Sequence, residues 1–349
     1  MIKIRAELIS EQFHGLPAFR LKQMEAALFQ DGVKGWKDIS TLPLAMREAI
    51  EIPWMSFPKS KVFWSEKKDT AKAILTLEDG QEVESVLMEN RRGQWTICVS
   101  SQVGCAMACT FCATGKMGFA RNLTQDEIVD QYRFWKSYLQ ENPQLPERIS
   151  NVVFMGMGEP MANYENVKAT LQTWLRHTDL GLTHITVSTV GLLPVLAKLI
   201  EDPDWPRVRI ALSLHSADNQ TRKEIVPTSH DQFLPQFENW CREYLRRSGN
   251  RRHHLTFEYV MLQDVNDTPM HAKKLADLVN RLGHVRVNLI PYNFTDLGFQ
   301  RSIHERTQAF KEILESAGVT ATIRKTMGDD IAAACGQLIT IGGSEPKVC

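Results

Sequence analysis

From about Trp95 onward, short apolar stretches alternate with longer amphipathic ones, which predicts an α/β fold. Such a pattern makes a parallel sheet with helical crossovers, either open or curled into a barrel. Two further observations frame it. The chain before this region opens on helical spacing, and between the two lies the pair Asp79-Gly80, flanked by strand-like runs, a strong hairpin signal.

In order along the chain, residues 17–30 carry apolar positions at helical spacing after a Pro start, and 44–50 form a second short helix entered through Leu42-Pro43. The hairpin strands are 72–77 and 82–88. Strands follow at 95–99, 151–155, 184–188, 207–214, 256–260, 285–290 and 320–323. Helices at 124–138, 164–176, 194–200, 234–246, 270–282 and 305–317 separate them. The expected division is a helical domain over 1–62, a linker with the hairpin over 63–94, and a core over 95–349. In such folds ligand chemistry sits at the carboxyl ends of the strands.

Lys and Arg together number 41, as do Asp and Glu, so the formal net charge is zero. A general, non-specific nucleic-acid binder is normally basic, so any RNA contact must come from a local patch. The run 242–254, with Arg246, Arg247, Arg251, Arg252, His253 and His254, is the best candidate; its plainer reading is a solvated loop. No stretch approaches the ~18 apolar residues of a membrane span. The start, MIKIRAELISEQF, lacks the apolar core of a signal peptide, so a cytoplasmic protein without a membrane is expected.

Seven cysteines are an odd number, and three of them crowd into Cys105, Cys109 and Cys112. That layout suits metal or redox chemistry better than a disulfide framework. Cys241 reads as a small core residue and Cys349 as a terminal thiol. The three cysteines follow a strand as C-x3-C-x2-C. Thiolates are the usual ligands of iron–sulfur clusters, and three ligands on a four-iron cubane leave one iron open. An open iron can chelate the amino and carboxylate groups of S-adenosylmethionine (SAM), and the reduced cluster can pass an electron to its sulfonium. The other reading is a zinc site completed by a distant Cys or His, as in a zinc-stabilised RNA-binding module. Farther on, Met155-Gly156-Met157-Gly158-Glu159-Pro160 ends a strand, where glycines admit a ligand to the backbone and a carboxylate can accept from an ammonium.

C-x3-C-x2-C is the signature of the radical SAM superfamily, and the surrounding strings resemble one branch of it, the RlmN/Cfr family of RNA adenine methyltransferases. These are C-V-S-S-Q-V-G-C, C-x-T-G-x-x-G-x-x-R-N-L-T, M-G-M-G-E-P, S-L-H and G-D-D-I-x-A-A-C-G-Q-L, with G-L-P-A-F-R-x-K-Q near the start. The resemblance implies a partial TIM-type (β/α)6 barrel with a small N-terminal helical RNA-binding domain and a β-hairpin extension. It implies a [4Fe–4S] cluster on Cys105, Cys109 and Cys112. It implies SAM contacts from Gly158, Glu159, Ser188, Ser213, Leu214, His215 and Asn293, with two SAM molecules used per turnover. A flavodoxin or ferredoxin would supply electrons, and a monomer is expected.

The same resemblance implies catalytic roles for Cys335, Cys98 and Glu84. Cys335 would take a methyl group from one SAM, and a radical from a second would remove hydrogen from that S-methyl. The carbon radical would add to adenine, and Cys98 would release the product by forming a disulfide with Cys335. Glu84 matches the family's proton acceptor. By residue type alone, Cys335 is a buried small residue beside a Gly, and Glu84 an exposed strand carboxylate. Pro160 and the Arg324-Lys325-Thr326 and Gly328-Asp329-Asp330 strings resemble the branch that methylates adenine carbon 2 rather than the carbon-8 resistance branch. The implied substrates are an adenosine in 23S rRNA and the adenosine beside the anticodon of certain tRNAs, with Arg20 and Lys22 as phosphate contacts. The sequence departs from the family at Phe294-Thr295-Asp296-Leu297-Gly298, where a Pro- and Gly-rich loop is usual, and runs fourteen residues past Cys335 without a basic tail.

Overall fold

The computed structural model describes residues 2–248 and 255–339. Near the start, α1 (Arg5–Gln12), α2 (Ala18–Ala27) and α3 (Leu44–Ala49) close over a small core of their own around Ile9, Met24, Trp36 and Leu42. Three antiparallel strands follow: β1 (Lys59–Trp64), β2 (Thr70–Thr76) and β3 (Glu82–Glu89). The β1 strand lies outside the expected hairpin. Its first half is exposed and its sequence, KSKVFW, shows no apolar alternation, so pairing to β2 rather than pattern defines it.

The next strand, β4 (Trp95–Cys98), is where the sheet changes character: it pairs antiparallel with β3 and parallel with β7 (Ile149–Phe154). Between them run β5 (Gln102–Gly104), the short α4 (Ala113–Lys116), β6 (Phe119–Asn122) and α5 (Gln125–Glu141). Then α6 (Tyr164–His177), β8 (Ile185–Thr189), α7 (Leu193–Glu201), β9 (Arg209–Ser213), α8 (Asn219–Ile225), α9 (Phe233–Ser248), β10 (Leu255–Met261), α10 (Pro269–Leu282), β11 (Val285–Pro291), α11 (His304–Ser316) and β12 (Ala321–Ile323) complete the alternation. One sheet runs β1-β2-β3-β4-β7-β8-β9-β10-β11-β12, parallel from β4 onward. The hairpin thus extends the main sheet as its antiparallel wing.

The register sets Ile97, Val152, Val187, Leu212, Phe257 and Leu289 on one face of the parallel strands, all buried in the main core, while Thr96, Asn151, Thr186 and Arg209 point to the opposite face. The start of α5 is fixed by a capping box, in which the Thr124 hydroxyl accepts from the Glu127 backbone N–H while Glu127 accepts from that of Thr124. The same helix carries the joint to the N-terminal helices. Asp130, fully buried, accepts from Arg5 Nη2 at 2.6 Å, from the backbone and hydroxyl of Ser56 at 2.8 and 2.7 Å, and from Arg133. Burial works against its ionisation, but the Arg133 and Arg5 charges prevail and hold its pKa below the usual carboxylate value.

The basic run separates into two parts. Arg242, Arg246 and Arg247 sit on α9 and pair with Glu238, Glu243 and Glu201, which marks a solvated helix face. Arg251, Arg252, His253 and His254 lie outside the described residues, as does Cys349. Cys241 is buried on α9, as its helical setting predicts. No helix among the described residues is long and apolar enough to cross a membrane.

Candidate active site

The cysteine loop leaves the sheet after β4 and is pinned at several points. The Cys105 N–H donates to the Gly118 carbonyl at 2.8 Å, Thr110 N–H to that of Ile225 at 3.0 Å, and Cys112 N–H to that of Cys109 at 3.1 Å. These bonds turn all three thiols into one cavity of about 160 Å³, walled by Met107, Phe111 and Phe154 on its apolar side. Burial raises the Cys105 pKa to about 12, and burial, then the charges of the neighbouring cysteines, raises that of Cys109. Thiols crowded in so apolar a setting become thiolates only if a cationic group joins them. Three thiols on one cavity are the donor set that a [4Fe–4S] cluster takes while one iron stays open, and Cys105, Cys109 and Cys112 fit it.

The glycine turn after β7 forms the adjoining wall. A Cβ on Gly156 would stand 2.7 Å from the Val99 carbonyl oxygen, and one on Gly158, at φ +98°, 2.5 Å from Gln102 Cβ. Only glycine fits either place. Glu159, buried, accepts from the backbone N–H groups of Met161 and Val190, each at 2.9 Å, and burial raises its pKa to about 6. The Thr189 hydroxyl bonds it as well, so of the about four acceptor sites of a carboxylate one remains for a ligand ammonium. The hydroxyls of Ser188 and Ser213 meet at 3.0 Å at the ends of β8 and β9. His215 sits at φ +58°, its Nδ1 accepting from Val260 N–H at 3.2 Å. Burial, then the Arg222 charge, lowers its pKa to about 3. The ring is thus neutral with its proton on Nε2, a donor for the cavity.

Gly158, Glu159, Ser188, Ser213 and His215 all line the cysteine cavity. Leu214 and Asn293 do not. Leu214 is fully buried, and its carbonyl accepts from Arg222 Nε at 3.0 Å. Asn293 faces the segment that holds Cys335, donating from Nδ2 to the Cys335 carbonyl at 3.1 Å.

A second, larger cavity of about 650 Å³ fills the space enclosed by the curved sheet, and Cys98 and Cys335 both line it. Cys335, Met155 and Ile290 belong to both cavities, so the Cys335 thiol stands at their junction. Cys335 is exposed, but to this interior: burial raises its pKa, and the Arg324 charge opposes the rise. Cys98, at the end of β4, is buried and shifted upward by desolvation and by Cys335 itself. The buried-small-residue reading of Cys335 therefore fails. The segment around it is tied to the cluster loop, with Ala113 N–H donating to the Gly336 carbonyl at 2.8 Å and the Thr114 hydroxyl to that of Leu338 at 2.6 Å.

Glu84 overturns the exposed-carboxylate reading, because it is 1% exposed. It pairs with Lys72 at 3.0 Å and accepts from Ile339 N–H at 3.1 Å, behind the Cys335 segment and outside both cavity walls. Burial lifts its pKa to about 7 against the Lys72 charge.

Three more residues belong to the site without a role assigned by local pattern, although Arg324 falls in one of the family strings. Glu258 on β10 lines the cysteine cavity with Oε2 lacking a partner, while its other oxygen accepts from Asn288 at 2.8 Å. Arg324 follows β12 into the large cavity and acts electrostatically on both Cys98 and Cys335. Arg222 on α8, stacked 3.7 Å over Phe233, ties the Leu214 and Val190 carbonyls together. Strand and helix periodicity marks charged residues as outward-facing by default, so no local signal singles these out. At the surface, Lys22 is exposed, and the Arg20 guanidinium lies 4.8 Å from the ring centre of exposed Phe19 while bonded to the Thr41 carbonyl.

Comparison with known proteins agrees with this arrangement. Residues 99–272 match the model of the Radical SAM superfamily. The chain is 39% identical over 333 residues to a protein of Synechococcus sp. (strain JA-2-3B'a(2-13)) named "Probable dual-specificity RNA methyltransferase RlmN", covering 93% of this chain and 90% of that one. It is 38% identical to the "Ribosomal RNA large subunit methyltransferase N" of Nitrosopumilus maritimus (strain SCM1), over 93% of each. Among solved structures it resembles a radical SAM methyltransferase from Sphaerobacter thermophilus, with a TM-score of 0.85 and 35% identity over 95% of this chain and 96% of that one. The three-thiol loop, the glycine-lined cavity beside it and these likenesses along nearly the whole chain lead to one conclusion: it belongs to the RlmN family of radical SAM RNA methyltransferases.

Proposed function

We propose that this chain methylates carbon 2 of an adenosine in 23S rRNA, and of the adenosine beside the anticodon in tRNA, through a methyl group carried on Cys335. The observation that supports the reading is the place of Cys335 at the junction of two cavities, facing the three cluster thiols on one side and Cys98 on the other. A ring carbon bearing hydrogen is a poor nucleophile toward a sulfonium methyl, so a carrier thiol and a radical route overcome what direct transfer cannot.

When bound, the cluster supplies the electron that splits SAM. The chain's residues do the rest. Gly158, Glu159, Ser188, Ser213 and His215 hold SAM, with Glu159 taking its ammonium and Nε2–H of His215 donating. The Cys335 thiolate accepts a methyl group by displacement, helped by the Arg324 charge. The radical from a second SAM takes one hydrogen atom from the S-methyl of Cys335, and the carbon radical left behind bonds to the adenine ring. The adduct then gives up one electron, matching the one spent in splitting SAM, and a ring proton, the latter to Glu84. The Cys98 thiolate then attacks the Cys335 sulfur; a disulfide forms, and the carbon–sulfur pair goes to carbon, which takes up a proton to become the methyl group. A reductant of the flavodoxin or ferredoxin class supplies electrons for radical formation, and reduction of the disulfide resets the thiols.

Glu84 needs a movement of the Cys335 segment to reach a substrate, because Ile339 covers it. Mass mapping of rRNA and tRNA from cells with and without the gene tests the reading. A methyl group missing from adenosine carbon 2 in the deleted strain supports it; a loss at carbon 8 favours the resistance-type activity, and no loss overturns both.

A further inference from the structure

The hairpin's buried charges touch the Cys335 segment on both sides of the thiol. On β2, Lys72 is 3% exposed, and it reaches Glu84 Oε1 at 3.0 Å and the carbonyl oxygen of Ala332 at 3.2 Å. Glu84 in turn takes the N–H of Ile339 at 3.1 Å. One ion pair therefore grips residue 332 ahead of Cys335 and residue 339 after it. Ala332 needs such a grip: at φ +49° it sits in the left-handed region that a non-glycine residue adopts at a cost. A lysine and a glutamate removed from water are also a poor way to hold a hairpin together, since apolar side chains of similar size do so at least as well. Their use here calls for a polar task.

We propose that Lys72 is the positioning residue of the methyl-carrying cysteine: acting with Glu84, it clamps both ends of the segment 332–339 so that Cys335 faces the SAM cavity and Cys98. The inference rests on the reading of Cys335 as methyl carrier. Lys72 touches neither cavity and acts only through the backbone it holds.

Two variants of the cluster-loaded enzyme test the clamp. Lys72→Met combined with Glu84→Gln removes both charges and leaves none stranded. Ile339→Pro leaves the buried pair intact and deletes the N–H that Glu84 accepts. Without RNA present, the proton-acceptor role of Glu84 does not enter. Three readouts are taken: S-methylation of Cys335 by mass spectrometry, reductive cleavage of SAM to 5′-deoxyadenosine, and the rate of Cys98–Cys335 disulfide formation with diamide. The clamp predicts Cys335 methylation and disulfide formation slowed by about tenfold in the double variant and less in Ile339→Pro. SAM cleavage should stay within about twofold of the unaltered enzyme in Ile339→Pro. A merely structural pair would lower all three together. Methylation and disulfide formation at the unaltered rate in a folded variant overturn the clamp, and Ile339→Pro decides if the double variant does not fold. Absence of S-methyl on Cys335 in the unaltered enzyme overturns the carrier reading instead, and disulfide formation still tests the clamp.

Discussion

Asn293 Nδ2 donates to the carbonyl oxygen of Cys335 at 3.1 Å, while its Oδ1 accepts from Arg301 at 3.0 Å and from Thr326 at 3.1 Å. The residue expected to touch SAM thus has its amide committed to the cysteine segment. Asn293→Ala should slow S-methylation of Cys335 about fivefold to tenfold, the worth of one hydrogen bond, and change SAM affinity less. Single-turnover mass spectrometry and equilibrium dialysis separate the two effects; a large loss of affinity with unchanged methylation would restore the SAM-contact role.

Glu258 offers the opposite case, a buried oxygen lacking a partner in the cavity where SAM is proposed to sit. A charged acceptor there should receive a hydroxyl or amine of the ligand. Glu258→Gln is expected to weaken SAM binding about tenfold, since a hydrogen bond to a charged group is worth about 1.5–3 kcal/mol. Unchanged affinity in dialysis would show that the oxygen faces no ligand.

Removing the thiol proposed to resolve the adduct should trap the reaction midway. With Cys98→Ala, the bond between Cys335 and RNA has no attacking sulfur, so a covalent protein–RNA adduct should accumulate and migrate slowly on a denaturing gel. Cys335→Ala should yield none. Free methylated RNA from Cys98→Ala at the normal rate would remove Cys98 from the mechanism.

The pKa of Glu84, raised by burial to about 7 from the ordinary 4.5, makes stability depend on pH with a definite sign. The folded state holds this proton more tightly than the unfolded one. Its contribution is complete below about pH 4.5 and is lost as pH rises through about 7. Glu84→Gln should flatten that part of the stability curve, measured by denaturant unfolding across the same range. An unchanged slope would mean that Lys72 keeps the carboxylate charged throughout.

At the joint between the N-terminal helices and the core, Asp130→Ala strands the buried guanidiniums of Arg5 and Arg133. Breaking a buried ion pair from one side costs about 3–5 kcal/mol, and calorimetry should show a corresponding fall in melting temperature. Asp130→Asn, which keeps an acceptor, should lose less.

Much of this protein can be read from its chain alone. The C-x3-C-x2-C loop, the glycine turn at Met155-Gly156-Met157-Gly158-Glu159-Pro160 and the alternation of apolar strands with amphipathic helices are local patterns, because each depends on residues a few positions apart. They determined the α/β fold and the family, and they place three thiols within one loop. What the tertiary structure decided is how distant residues meet. Cys98 and Cys335, separated by most of the chain, share one cavity because the sheet curves β4 and the segment after β12 toward a common interior. Glu84, an exposed strand carboxylate by pattern, is buried because the hairpin continues the main sheet and the Cys335 segment lies over it. Burial and long-range pairing arise from packing between elements, and no short window of sequence contains both partners.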